Sequence, residues 1–166
     1  PIIVDFLTRG KTPEEALAEI LEWQTSNDDR VMVGNHFKLM IDGAIFSGLA
    51  QMGPPGYLDG HEGVWMVPEP VLRAYGEVFW RAGFQLHAHA NGDAAVDRFL
   101  KLIEGLQRDF PRPDHGSTIE HLAYSTEQQS AQLAKLGARA SVNPYYHYIL
   151  SEAYSGDWLG PDRAAQ

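Results

Sequence analysis

Short β-rich runs alternate with longer amphipathic runs along almost the whole chain, and this alternation constrains the fold more than any other feature. It is the pattern of successive βα units around a parallel sheet. Residues 2–6 read as a first strand. Thr12-Pro13-Glu14-Glu15 follows as a capping box, with Pro at the first helical position, and Ala16, Leu17, Ile20 and Leu21 lay down one apolar stripe. That helix is expected to end between Trp23 and Thr25. Residues 37–41 form the next expected strand, running out at Asp42-Gly43. Val71, Leu72, Tyr75, Val78 and Phe79 mark a helix stopped at Gly83, and residues 84–88 a strand after it. Residues 93–110 read as a helix closed by Pro111 and Pro113, and Ile119-Glu120 as a short strand. Ser125-Thr126-Glu127-Gln128 reads as a second capping box, opening a helix that ends at Leu136-Gly137 before a strand over 139–142. The stretches Arg81-Ala82-Gly83-Phe84 and Lys135-Leu136-Gly137-Ala138 look like one helix-to-strand junction used twice.

Residues 44–67 break the pattern. They are rich in Gly and Pro, centred on Met52-Gly53-Pro54-Pro55-Gly56, and so long an aperiodic stretch inside a compact fold suggests a functional loop over one end of the sheet.

Composition bounds the chemistry. Thirteen basic against 22 acidic residues give a formal charge of −9 over 166 residues, which argues against nucleic acid and anionic membrane as partners. No apolar run is long enough for a membrane span. With no cysteine, thiolate ligands, thiol nucleophiles and disulfides are excluded, so a metal must be held by His, carboxylate or modified Lys. The chain opens on Pro1-Ile2-Ile3-Val4 with no export signal; it reads as part of something longer, and the cytoplasm is the expected compartment.

Successive strands run out into Asp42, His89, His121 and Asn143, each a polar residue at the carboxyl end of an apolar run. In parallel α/β folds the site is assembled at that end. His87-Ala88-His89 puts two imidazoles on one strand face about 7 Å apart, near enough to converge on a metal. The alternative is a pair of buried histidines satisfied by backbone carbonyls, and the further imidazole of Glu120-His121 at the next strand end weighs against it. Lys38 interrupts an apolar strand four residues before Asp42; a buried lysine is costly unless its charge is neutralised or used. It is either carboxylated into an anionic ligand or paired with a carboxylate such as Asp42. Asn91-Gly92-Asp93 reads first as a helix N-cap. His36, His61 and His115 lack partner spacing and read as solvated loop histidines. His147, inside Tyr145-Tyr146-His147-Tyr148 after Asn143-Pro144, belongs to an aromatic cluster suited to lining a substrate pocket.

In order and spacing, Phe37-Lys38-Leu39-Met40-Ile41-Asp42-Gly43, His87-Ala88-His89-Ala90-Asn91-Gly92-Asp93-Ala94-Ala95-Val96, Ile119-Glu120-His121 and Ser141-Val142-Asn143-Pro144 resemble the YtcJ-like branch of the amidohydrolase superfamily, related to N-substituted formamide deformylase. The resemblance implies a partial (β/α)8 barrel, about strands three to seven, as one domain fragment over residues 1–166. It implies His89 and His121 as metal ligands, Lys38 as a carboxylated ligand, and His87 as a neighbour only. Asp42, Asn143 and His147 are the expected substrate contacts. One or two divalent ions, expected to be zinc, would activate water against a small amide, formamide or imide. The family's first-strand His-x-His and eighth-strand catalytic Asp have no match here, so no catalytic base is expected within the chain, and by itself it is expected to be inactive. The open edges of such an arc would pair with the missing barrel segments or another copy. Two rivals are a noncatalytic assembly module and a deaminase with a single zinc ion.

Overall fold

The computed structural model describes residues 10–165, so the strand expected over 2–6 lies outside the described residues. Four strands, β1 (His36–Met40), β2 (Gln85–Ala90), β3 (Thr118–His121) and β4 (Arg139–Val142), form one sheet in the order β1-β2-β3-β4, every pair parallel. Helices α2 (Glu69–Arg81), α3 (Asp93–Asp109) and α4 (Glu127–Lys135) connect successive strands, and α1 (Pro13–Gln24) precedes them. Strand order follows chain order with no reversal. A doubly wound sheet reverses at its switch point, whereas a barrel adds staves one after another, so this is an arc of a barrel.

Alternation along the strands separates two faces. Phe37, Leu39, Leu86, Ala88, Ala90 and Ile119 are buried against Ile20, Leu72, Phe79, Phe99, Ile103 and Leu106 of the helices. Phe37 stacks on Phe79 with centroids 3.6 Å apart. His36, Lys38, Met40, His87, His89 and Glu120 occupy the opposite, concave face.

Local rules account for the helix ends. Thr12 caps α1 in a reciprocal box with Glu15. The second box is displaced by one residue from the expected position: Thr126 is the N-cap and Gln129 its partner. Both helix-to-strand junctions are Schellman motifs, with Gly83 at φ +86° and Gly137 at φ +70°. In each, the amide after the glycine reaches back five residues, Phe84 to the carbonyl of Phe79 and Ala138 to that of Leu133.

Strand β2 runs two residues beyond the expected end at Ala88, so His89 lies inside it. The aromatic run after Asn143-Pro144 is helical, α5 (Tyr145–Ala153), continuing into a π turn (Tyr154–Trp158) and a short α6 (Pro161–Ala164). Residues 44–67 contain only one short 3-10 turn (Ile45–Ser47), yet they carry a core of their own. Ile45, Ala50, Met52 and Tyr57 pack with Tyr124, Tyr154 and Leu159. The long loop is therefore docked against the C-terminal helices beside the carboxyl ends of the strands. Among the described residues no helix is long and apolar enough to cross a membrane.

Candidate metal centre

The histidines of β2 and β3 meet at the strand ends. The rings of His89 and His121 lie 4.6 Å apart, centroid to centroid, at 69°. Register alone does not bring them together: Glu120 sits opposite His89, and His121 opposite the helix-facing Ala90. Strict alternation would send Glu120 and His121 to opposite faces. His121 instead adopts φ +80° and Leu122 φ +42°, and both Glu120 and His121 line the same cavity of about 530 Å³ with His36, Lys38, Met40, His87 and His89. A non-glycine residue in that conformation carries backbone strain, which is characteristic of functional sites.

Burial holds both rings neutral. His89 is pushed down to about 4 by burial, with the neighbouring His121 and Lys38 acting in the same direction. His121 is also lowered, by burial and then Lys38, with Glu120 opposing. Neutral imidazole is the form that donates a lone pair to a metal. One nitrogen of each ring is already engaged. Nε2 of His89 accepts from the Asn91 amide at 2.8 Å and lies 3.4 Å from the Gly43 carbonyl; Nδ1 of His121 is 3.3 Å from the Tyr146 hydroxyl. With Nε2 of His89 so engaged its proton sits on Nδ1, and ligation through Nδ1 would move that proton to Nε2, where it faces the Gly43 carbonyl.

Lys38 faces the same cavity, its ammonium pulled below the usual range by burial and drawn the other way by Glu120. Asp42 is not its partner. That carboxylate is fully buried and accepts from the backbone amides of Gln51 (2.9 Å), Asn91 (3.0 Å) and Gly92 (2.9 Å). Burial pushes it up to about 6 against the pull of those amides. The expected substrate contact is thus a clasp tying the ends of β1 and β2 to the long loop, with no exposed surface to offer a substrate. Asn143 and His147 do line a cavity, a second one of about 400 Å³ that shares His121 with the first.

Among the described residues His87 makes no backbone hydrogen bond of the kind weighed for it. Its Nδ1 meets the Glu120 carboxylate at 2.6 Å, its ring lies edge-on to His36 at 5.2 Å, and its Nε2 is buried without a hydrogen-bond partner among the described residues. His36 therefore belongs to β1 and the cavity rather than to a solvated loop. His115 departs further: it is fully buried, its Nδ1 accepting from Ser117 N and its Nε2 bonding Leu136 O. His61 keeps to the loop, bound to Asp59 and to the Gly48 carbonyl. Asn91 and Tyr146, the residues that orient the two central rings, stand in stretches that the sequence marks for other reasons, a helix start and an aromatic cluster.

Among the described residues no group of three His, Asp or Glu side chains is arranged to hold a metal ion. The donor set nevertheless fits one in part: two neutral nitrogens close together, plus a half-buried amine that carboxylation would turn into an oxygen donor.

The amidohydrolase family profile matches residues 3–166, while no curated protein matches the sequence. Among solved structures, the chain is similar to uncharacterized metal-dependent hydrolases from Pyrococcus furiosus (24% identity, TM-score 0.68, 89% of this chain and 31% of that one) and Pyrococcus horikoshii OT3 (25% identity, TM-score 0.68, 87% and 29%). A Xaa-Pro dipeptidase with bound methionine aligns at 15% identity and TM-score 0.50, over 94% of this chain and 32% of that one. The chain spans about a third of the length of these structures. With the barrel arc, the paired imidazoles and a profile match over nearly its full length, the chain belongs to the amidohydrolase family.

Proposed function

We propose that this chain contributes the ligand wall of a metal-dependent hydrolase that cleaves carbon–nitrogen bonds in small amides, formamides or cyclic imides, as a YtcJ-like member of its family. The observation that carries the reading is the approach of His89 and His121 to 4.6 Å, both held neutral, at the carboxyl ends of adjoining parallel strands. The metal-dependent hydrolases of the same fold support it.

His89 and His121 are the nitrogen ligands in this reading and Lys38, carboxylated, an oxygen ligand. A divalent cation, zinc by its affinity for imidazole, would supply Lewis acidity toward a water and the substrate carbonyl. Asn91 and Tyr146 hold the rings in register from behind, and Glu120 is kept in place by His87. The substrate amide enters beside His121, toward Asn143 and His147.

Titration of the purified chain with cobalt(II), followed by its visible absorption, tests the ligand set. Binding by the wild type, weakened at least about tenfold in both His89→Ala and His121→Ala, is the expected result, since loss of a ligand removes a direct coordinate bond. No binding, or binding indifferent to both substitutions, overturns the reading. A carbamate carbon signal with ¹³C-bicarbonate, absent in Lys38→Ala, tests the third ligand. Amine release from N-phenylformamide by the product of the full reading frame tests the bond class.

A further inference from the structure

On the other side of His121 lies the second cavity, bounded by the end of β3, the turn after β4, α5 and the long loop. Its volume of about 400 Å³ is within the range of sites that take small organic ligands. Tyr124, Tyr146, Tyr154, Leu122, Pro144 and Ile45 supply rings and apolar surface. Its polar groups are the amide of Asn143, the hydroxyls of Ser151 and Ser155 and the imidazoles of His121 and His147; no Asp, Glu, Lys or Arg lines it.

The aromatic wall is fixed in place. Tyr146 has its hydroxyl at His121 and its ring edge-on to Phe46 at 5.1 Å. Tyr154 is buried, donates to the Ile45 carbonyl and meets Trp158 edge-on at 4.9 Å. A carboxylate or ammonium entering here leaves water and meets no opposite charge, which is strongly unfavourable. A flat uncharged ring meets pre-positioned aromatic faces and edges, which is favourable beyond the area it covers.

We propose that this cavity is the subsite for an uncharged, ring-bearing substituent of the substrate, seated so that the bond to be cleaved lies at His121, the residue common to both cavities. The placement of that bond rests on the hydrolase reading; the cavity's preference for a neutral ring does not.

Binding of three probes to the full, metal-free chain at pH 8 separates the two. The probes are acetanilide, its charged analogue 4-acetamidobenzoate, and N-methylacetamide, which lacks the ring; the readout is ligand-observed NMR. Acetanilide is expected to bind at least about tenfold more tightly than either of the others. Tyr146→Ala is expected to weaken acetanilide about tenfold while leaving the circular dichroism spectrum unchanged. Ser151→Lys, which puts an ammonium into the wall, is expected to raise affinity for 4-acetamidobenzoate about tenfold.

Equal affinity for acetanilide and 4-acetamidobenzoate overturns the proposal, as does acetanilide binding indifferent to Tyr146→Ala in a folded protein. Should that variant not fold, Ser151→Lys decides: no gain for the carboxylate overturns the proposal. A neutral-ring preference in a chain that binds no cobalt would leave this subsite standing and remove the hydrolase reading. Cobalt binding without the preference would do the reverse.

Discussion

Asn91 shows how one buried side chain sets the state of a neighbouring ring. It is buried, its amide nitrogen donates to both Gly43 O (2.9 Å) and His89 Nε2, and its own backbone amide is held by Asp42. In the metal-free protein this makes Nε2 the unprotonated nitrogen of His89. We expect ¹⁵N NMR to find that single tautomer in the wild type and a mixture in Asn91→Ala, with no change in the fold. His115 shows a different use of burial. Its pKa is lowered from 6.5 by burial, against the hydrogen bond to Leu136, so the folded state holds it neutral while the unfolded chain protonates it near 6.5. Its contribution is complete above about pH 6.5 and is lost as pH falls toward the folded pKa, where the bond from Ser117 N to Nδ1 must break. Urea titrations from pH 7.5 to 4.5 should show stability falling with acid, with a shallower slope in His115→Gln. The same residues set the limit of sequence reading at this scale. His89 and His121 were legible because they stand at strand ends. Asp42 stands at one too, but its carboxylate meets backbone amides brought to it from the long loop at Gln51 and from the turn after β2 at Asn91 and Gly92, which spacing along the chain does not reveal.

At the scale of elements, local signals were sufficient wherever the physics is local. Capping boxes, glycine stops and apolar periodicity placed α1 to α4 and β1 to β4. They were insufficient where tertiary contacts decide. Ala88-His89-Ala90 offers no apolar signal to extend β2, yet pairing with β1 and β3 does so. The aromatic run Tyr145-Tyr146-His147-Tyr148 after Asn143-Pro144 reads as pocket lining with no element assigned to it, yet Tyr145–Ala153 is helical. The C-terminus of α2 illustrates a device that spacing cannot reveal. Arg112, from the loop after α3, donates to the carbonyls of Trp80 (2.8 Å), Gly83 (3.0 Å) and Phe84 (2.9 Å), and lies 4.8 Å from the Trp80 ring centre. It satisfies helix-end carbonyls that would otherwise turn to water. Arg112→Ala should cost about 1–3 kcal/mol of stability in chemical denaturation, with no change in acetanilide affinity, because the contact lies at the amino end of β2, away from the site.

Across the whole molecule, the carboxyl end of the sheet is held together by a clasp between distant segments. Arg163 donates to Gly56 O (2.5 Å) and Gly53 O (3.2 Å), reaches Asp93 (3.4 Å) and stacks near Tyr124 (5.3 Å), while Asp93 accepts from Gly53 N at 2.7 Å. The long loop, the start of α3 and the C-terminal helices thereby become one unit around the second cavity. Replacing Arg163 with Ala should accelerate hydrogen exchange at Met52, Gly53 and Gly56 and leave the amides of β1 to β3 protected, as expected when a local opening is released from the global one. The left-handed turn at His121 has a consequence for how such a protein evolves. Only glycine occupies that conformation at no steric cost, so a lineage released from its chemistry would gain thermal robustness by trading the imidazole for a hydrogen atom. In the proposed hydrolase reading the ring at 121 is kept at that steric cost for the metal it would hold, and glycine there in a homologue would mark the loss of that role.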